Sequence, residues 1–393
     1  MNWALVSFIL SLSIPSLGEV EKFTGYFGFL VYFLILVLFA LYYKKFIVNF
    51  LNTITERQSR WLTFITFLAV LNIVLIVYPL AQSGFVGGGG DGDDELVLGA
   101  KELLQGHNPY YKRAYLGNDF TFLPGSLILA IPFVIINNIA LYNIFWLLVL
   151  FIIAKFYIKD YRLTLLLIWF LIALSPAVQH QIIVSDERLP NSIYILTFIL
   201  FMISSVSGSN GKLWHKLLSS SLLGIGFSSH LNFIFLVPII FSYILQNSGW
   251  RTAIKYIGLT CFVFLLVTFP FHIYAISTSG FSTQISKIFQ FRESLPIANT
   301  VMMLGCGVVT LLLTFQNMKD NYLILLKNCA LLQAFFVIGY MILSAVQGGT
   351  VDLISLEYGV YFLVFGAFSS WIYLTKDIKN ISAESLTVTS CNT

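Results

Sequence analysis

The sequence predicts an all-α integral membrane protein, a polytopic helical bundle of about 10–12 transmembrane segments. Hydrophobic residues make up 58% of the 393 positions, charged residues only 10%, and the mean hydropathy is +0.85. Because a soluble domain carries about 25% charged residues, this shortage indicates that lipid is the main solvent. Many of the apolar runs approach the roughly 20 residues that span a bilayer. The net charge of +4 is too small and too dispersed to predict a nucleic-acid partner.

The first three apolar runs set the predicted orientation of the chain. Residues 3–17 lack the preceding positive charge of a secretion signal, so they are expected to remain as the first helix, and 26–43 form the second. The connection that follows is predicted to be cytoplasmic, because basic residues concentrate in cytoplasmic loops. The run 61–81 then brings the chain to the extracytoplasmic side. The basic residues of the connection are Lys44, Lys45, Arg57 and Arg60.

The longest polar interval, residues 82–122, is predicted to be a catalytic extracytoplasmic loop that contains an interfacial helix. It includes a run of four glycines, 87–90, whose backbone can bend sharply or approach a ligand closely. From Glu95 onwards the apolar residues recur at helical spacing, which predicts an amphipathic helix in the membrane interface. Gly106 and Pro109 are expected to end that helix. Four acids stand at its start: Asp91, Asp93, Asp94 and Glu95.

Residues 123–136 are expected to form a short re-entrant segment or half-helix. They are apolar, but they number only 14 and contain two prolines and a glycine. If this segment crossed the membrane, the basic cluster that begins at Lys155 would lie outside, against the usual distribution of positive charge. The later apolar runs then alternate in direction and leave 375–393 as a cytoplasmic tail. Since the sequence shows no internal repeat or second domain, 1–393 is predicted to be a single transmembrane domain.

The crowded acids of the loop have two interpretations. Carboxylates at the start of a helix interact favourably with its dipole, so they could simply cap the helix and solubilise the loop. Like charges that are crowded together also shift each other's pKa, and one carboxylate can then be held ready as a base.

The residues that follow the acids match a longer pattern. An acidic pair precedes an amphipathic helix that ends A-x-x-L-L-x-G-x-N-P-Y, and an F-T-F-x-P-G stretch then leads into a short helix. This stretch of about 50 residues resembles the GT-C superfamily of membrane glycosyltransferases. It is most similar to the polyprenol-phosphate-mannose-dependent enzymes, including the GPI mannosyltransferase I family with its D-x-D in this loop. The matching residues are Asp91, Asp93, Ala100, Leu103, Leu104, Gly106, Asn108, Pro109, Tyr110, Phe120, Thr121, Phe122, Pro124 and Gly125.

The match departs from these families at the acids themselves. The families usually carry an aromatic residue a few positions after the acid, where this chain has the aliphatic residues 96–98. The spacing from the acids to the helix is also one residue shorter than in the GPI enzyme, and Asp94 with Glu95 could instead match the D-E pair of other branches. The catalytic base therefore stays open among Asp91, Asp93 and Asp94, with Asp93 favoured and Asp91 second.

The resemblance implies an inverting transfer of a hexose, such as mannose, from a polyprenyl-phosphate donor to a lipid-linked or surface glycan acceptor. One carboxylate would take the proton of the acceptor hydroxyl while cations hold the departing lipid phosphate. No cofactor or metal is expected, although crowded carboxylates would also suit Mg²⁺ or Mn²⁺. The candidate substrate-binding residues are Glu95, Lys112, Arg113, His180, Arg188, His230 and Arg292.

These candidates also have ordinary structural interpretations. Cations at a membrane interface often reach towards lipid headgroups. Arg188 could pair with its neighbours Asp186 and Glu187. A histidine between helices is commonly a hydrogen-bonded core residue.

Two rival functions are a transporter or flippase of lipid-linked saccharides and a polymerase that joins such saccharides. A transporter should carry charges near the midplane and often shows repeated halves. A polymerase is usually marked by paired arginines in a large late loop, where this sequence has only Lys287 and Arg292. A transferase is therefore favoured, as a multi-pass protein of the inner or plasma membrane with its active site on the extracytoplasmic face.

Overall fold

The computed structural model describes residues 2–83, 91–111, 117, 120–207, 212–275, 298–349 and 353–390, and within these ranges the chain forms helices and no strand. The α-helices are α1 (Trp3–Thr53), α2 (Glu56–Gln82), α3 (Asp91–Leu104), α4 (Pro124–Ile135), α5 (Leu141–Ile158), α6 (Tyr161–Leu174), α7 (Pro176–Val184), α8 (Arg188–Ser207), α9 (Leu213–Phe227), α10 (Val237–Ser248), α11 (Trp250–Ala275), α12 (Ala298–Thr314), α13 (Tyr322–Gly348) and α14 (Val360–Ser390). Short 3-10 helices lie at Pro109–Tyr111, Leu231–Leu236 and Ile354–Gly359.

Helix α1 is two antiparallel limbs that meet at Gly25. Gly25 has a positive φ of 59° with ψ at −160°, which a helix cannot contain. The rings of Phe8 and Phe39 lie 6.3 Å apart, whereas a straight helix would separate these residues by about 46 Å. The break therefore folds the first two predicted runs into a helical hairpin.

Among the described residues, eight helices are long and apolar enough to cross a membrane, or nine if the bent pair α6 and α7 forms one span. This confirms a multi-pass, all-helical membrane protein. The count is lower than the predicted number of about 10–12 spans. Several apolar runs are short or broken: α4 has 12 residues, and a 3-10 helix at Leu231–Leu236 interrupts the run around His230. The hairpin of α1 also counts once in this total.

Helices α8 and α14 form the centre of the bundle. In their most apolar windows 83% and 89% of the residues are buried, against 11% in α1 and in α2. Trp371 of α14 is fully buried, and its indole nitrogen donates a hydrogen bond to the backbone oxygen of Leu163 on α6. The poorly buried helices therefore face lipid. The segments that lead into α8 and α14 lie together at one end of the bundle.

Short helices and breaks are concentrated near that end. Helices α6 and α7 meet at an angle of 87°. Helix α4 begins against the turn that ends α9, because the Gly125 amide donates to the Ser228 oxygen at 2.7 Å and the Ser126 hydroxyl donates to the Ser229 oxygen at 3.2 Å. A Cβ atom at Gly125 would lie 2.2 Å from the backbone oxygen of Ile225, so this approach requires glycine. Helix α4 is about 18 Å long, well short of a hydrocarbon core of about 30 Å.

Candidate active site

The acidic residues of the loop lie within the first turn of α3, which begins at Asp91 rather than at Glu95. The predicted end of this helix is confirmed. Gly106 adopts a left-handed conformation with φ at 75°, and the His107 amide donates to the Glu102 oxygen at 2.8 Å, as in a Schellman motif. The C-terminal end of the acidic helix is therefore fixed by local backbone chemistry.

Asp93 is buried against the last turns of α2. Its Oδ2 atom accepts hydrogen bonds from the Tyr78 hydroxyl at 2.6 Å and from the Gln82 amide nitrogen at 2.5 Å. Tyr78 and Gln82 are four residues apart and so lie on the same face of α2. The other oxygen, Oδ1, is also buried and has no hydrogen-bond partner among the described residues. Asp93 is thus held through one oxygen, while the second is buried without a partner in the described part of the chain.

The environment of Asp93 changes its acidity. Burial raises its pKa from 3.8 to about 6, the bonds from Tyr78 and Gln82 oppose this rise, and the negative charge of Asp94 adds to it. The pKa of Asp94 is also raised, first by burial and then by the charge of Asp91. At neutral pH Asp93 is ionised but is a stronger base than an exposed aspartate.

Glu95 connects α3 to the segment that precedes α4 through hydrogen bonds to Thr121. It is buried, and its Oε2 atom accepts hydrogen bonds from the backbone amide of Thr121 at 2.7 Å and from the Thr121 hydroxyl at 3.0 Å. These bonds tie α3 to the segment that leads into α4. The Tyr110 hydroxyl donates to the Phe122 oxygen at 2.8 Å and holds the same segment from the other side.

A second acidic group lies between α7 and α8. Ser185 ends α7 in a left-handed conformation, and Asp186, Glu187 and Arg188 follow it. Arg188 binds Asp186 through two nitrogen atoms, at 3.1 Å and 2.9 Å, and a third nitrogen lies 2.7 Å from Glu357 Oε1. The guanidinium also lies 4.8 Å from the centre of the Tyr358 ring. Arg188 therefore pairs with its neighbour Asp186 as expected, but its second carboxylate partner is the distant Glu357 rather than the adjacent Glu187.

The two carboxyl groups of this second cluster have opposite acidities. Burial and the adjacent charge of Asp186 hold the pKa of Glu187 well above its ordinary value. Burial alone would raise the pKa of Asp186 as well, but the charge of Arg188 lowers it below the ordinary value. Within this pair the proton is therefore favoured on Glu187, and Asp186 is the ionised partner of Arg188.

Gly92 brings the two acidic groups together. A Cβ atom at this position would lie 3.1 Å from Glu187 Oε2 and 3.3 Å from Asp186 Oδ2. The Gln82 amide nitrogen, which holds Asp93, also lies 3.5 Å from the backbone oxygen of Val184. The first turn of α3 thus packs directly on the acidic turn before α8. We call this combined region, Asp91–Glu95 together with Asp186–Arg188 and Glu357, the acidic mouth.

The remaining candidate residues lie at different distances from the acidic mouth. His230 follows the turn that holds α4, and its ring lies 5.1 Å from the ring of Tyr361, which interacts electrostatically with Glu187. His180 lies apart, with Nδ1 2.9 Å from Glu19 Oε1 and its ring 5.7 Å from that of Phe23. Lys112, Arg113 and Arg292 lie outside the described residues.

Sequence reasoning missed the residues that hold Asp93. Tyr78 and Gln82 are polar residues spaced four apart at the end of an apolar run, and that spacing was the available signal. Glu357 was missed because its partner is 169 positions away in sequence. In the part of the chain that the structure describes, no three His, Cys, Asp or Glu side chains are arranged to hold a metal ion.

Comparison with known proteins adds no relative to this picture. No family model matches the chain, and neither a curated protein nor a solved structure matches it.

Proposed function

We propose that this membrane protein is an inverting glycosyltransferase of the GT-C type. It would move a hexose, such as mannose, from a polyprenyl-phosphate donor to a lipid-linked or surface glycan acceptor at the extracytoplasmic face. The residue pattern of the acidic loop suggests this chemistry, and the surroundings of Asp93 support it.

The single observation that carries the proposal is the arrangement of Asp93. A general base needs an oxygen free to accept a proton and a pKa close to the working pH. Asp93 has a pKa of about 6, one oxygen fixed by Tyr78 and Gln82, and a second buried oxygen without a partner among the described residues. A carboxylate that only capped a helix would accept hydrogen bonds from the backbone amides of the first turn, whereas Asp93 accepts from the Tyr78 and Gln82 side chains of another helix.

The reaction assigns distinct roles to the groups of the acidic mouth. Asp93 would remove the proton of the acceptor hydroxyl as that oxygen attacks the anomeric carbon, and the lipid phosphate would leave with the bonding electrons. Arg188 is already bound by Asp186 and Glu357, so it has little capacity for a phosphate. Lys112, Arg113 and Arg292 are therefore the cations proposed to receive the departing phosphate.

The test is transfer by the purified protein from a panel of polyprenyl-phosphate hexoses. We expect Asp93→Asn to lower the rate by at least about 100-fold, the usual contribution of a general base, with smaller losses for Asp91→Asn and Asp94→Asn. Asp320→Asn is the matched control, because Asp320 is exposed in the connection between α12 and α13 and its positive φ of 55° suits asparagine.

Three outcomes would decide against parts of the proposal. Full activity of Asp93→Asn would remove Asp93 as the base. Loss of activity on adding a chelator, and its return with Mg²⁺ or Mn²⁺, would overturn the expectation of a metal-independent reaction. Absence of transfer from every donor, together with saccharide flux across vesicles that contain the protein, would replace the transferase with a transporter.

A further inference from the structure

At the end of the bundle away from the acidic mouth, two cations from different helices converge on one aromatic ring. The ammonium of Lys155, in the last turn of α5, lies 4.1 Å from the centre of the Tyr161 ring. The guanidinium of Arg60, on α2, lies 4.9 Å from the same centre. Tyr161 is the first residue of α6, so three helices meet at this point. Two like charges beside one ring repel each other, and an anion bound between them would relieve that repulsion.

The nearby acids do not neutralise these two cations. Asp160 is occupied by Arg162, whose Nε and Nη2 atoms lie 3.3 Å and 3.0 Å from its two oxygens. Asp160 also caps α6 by accepting from the amides of Arg162 and Leu163. Glu56 precedes Arg60 by one helical turn but forms no ion pair with it. Among the described residues, neither Arg60 nor Lys155 is paired with a carboxylate.

The position of the pair along α2 places it at the opposite membrane surface. Arg60 lies near the start of α2, and Tyr78, which binds the proposed base, lies near its end. Eighteen residues of helix separate them, or about 27 Å. This distance is close to the thickness of a hydrocarbon core, about 30 Å. When the acidic mouth lies at one surface, Arg60 and Lys155 therefore lie at the headgroup level of the other leaflet.

Apolar side chains beside the pair face outwards. Trp61 is 63% exposed and Phe156 is 69% exposed, and each is the next residue after one of the two cations. Helices α2 and α5 stay in contact behind them, with the rings of Phe67 and Phe151 at 5.9 Å. The surface thus offers two cations at headgroup level and apolar side chains next to them, which matches an amphipathic anion rather than a soluble one.

We propose that Arg60 and Lys155 bind the phosphate of an anionic phospholipid in the leaflet opposite the acidic mouth, with its acyl chains against Trp61 and Phe156. Both cations lie within 4.9 Å of the centre of the Tyr161 ring, which keeps them on one small patch of the surface. The site concerns the membrane lipid around the protein, so it is independent of the reaction proposed for the acidic mouth.

The test is lipid retention by the purified protein after incubation with equal amounts of phosphatidylglycerol and phosphatidylcholine, measured by native mass spectrometry. We expect the wild-type protein to retain phosphatidylglycerol selectively. Each cation near an anionic headgroup contributes about fivefold in affinity, so the double variant Arg60→Gln with Lys155→Gln should bind this lipid about 25-fold more weakly. Retention of phosphatidylcholine should not change.

A matched control separates a specific site from general surface charge. Lys44→Gln with Lys45→Gln removes the same charge from exposed positions of α1 and should lower phosphatidylglycerol retention far less than the first double variant does. Equal losses in the two double variants, or no loss in the first, would overturn the proposal. Displacement of the lipid by millimolar inorganic phosphate would overturn the choice of a phospholipid in favour of a soluble anion. If the first double variant does not fold, Lys155→Gln alone provides the same test with an expected loss of about fivefold.

Discussion

Replacing Asp93 with asparagine should stabilise the protein, while it lowers the rate of the proposed transfer by at least about 100-fold. The pKa of Asp93 is raised from 3.8 to about 6 in the folded protein, mainly by burial. Folding therefore favours its protonated form, and each pKa unit corresponds to about 1.4 kcal/mol. A shift of about two units means that the ionised carboxylate costs about 3 kcal/mol of stability at neutral pH. Asparagine has the same shape without the charge.

The direction of this pKa shift determines how the stability difference between the wild-type protein and Asp93→Asn depends on pH. Below pH about 4 both the folded and the unfolded chain keep the proton on Asp93, and the carboxyl group costs nothing. As the pH rises towards about 6, the unfolded chain releases the proton first, so the wild-type protein loses stability relative to Asp93→Asn. Above pH about 6 the difference stays constant.

Thermal unfolding in detergent, followed by tryptophan fluorescence, measures the difference. At pH 7.5 we expect Asp93→Asn to melt about 5 °C above the wild-type protein, and at pH 4.5 we expect the two curves to approach each other. Asp320→Asn should match the wild-type protein at both pH values. A melting temperature of Asp93→Asn at pH 7.5 that is equal to or below that of the wild-type protein would show that burial of the ionised Asp93 carboxylate does not destabilise the folded protein.

Four further predictions concern single residues of the acidic mouth, of α2 and of the start of α4. Glu187→Gln should change the stability by less than about 1 kcal/mol, because burial and the charge of Asp186 raise the pKa of Glu187 well above its ordinary value and so favour its neutral form. Asp186→Asn should cost about 3–5 kcal/mol, since it removes one partner of a buried arginine; similar melting curves for the two variants would contradict this assignment. Gly125→Ala should sharply reduce the yield of folded protein, whereas Gly258→Ala, with open space around its Cβ, should fold normally; size-exclusion chromatography compares them. Tyr78→Phe removes a hydrogen bond that lowers the pKa of the proposed base, so the rising limb of the pH–rate profile should move up by about one unit, and an unmoved limb would argue against that base.

The local features of the acidic loop were predictable from sequence because they depend on neighbouring residues. The end of α3 follows from a glycine in the left-handed conformation at Gly106 and a proline soon after it. Outside this loop, the 3-10 helix Leu231–Leu236 that interrupts the apolar run after His230 follows in the same way from the glycines and serines before it, which weaken a long apolar helix. Each of these effects acts within one or two helical turns, so the pattern of residue types contains the information.

The partners within the site were not predictable because they come from distant parts of the chain. The spacing of Tyr78 and Gln82 marks a polar face on α2, but nothing in it names Asp93 as the acceptor. The contact of Gly92 with the acidic turn at Glu187 depends on how α3 and α7 pack. From the sequence alone, Gly92 would be interpreted as a flexible position, whereas in the structure it allows a close approach between two acidic groups.

The negative charges of the acidic mouth determine whether a phosphate donor needs additional cations in order to bind there. The cation that the described residues place against these acids is Arg188, and Asp186 and Glu357 already bind it. A lipid phosphate that enters such a region is repelled unless another cation accompanies it. A base at Asp93 would therefore require further cations, such as Lys112 and Arg113, whose replacement by glutamine should weaken donor binding. If Asp93 were only a buried residue that fixes α3 to α2, neutralising those cations would leave the protein's properties unchanged.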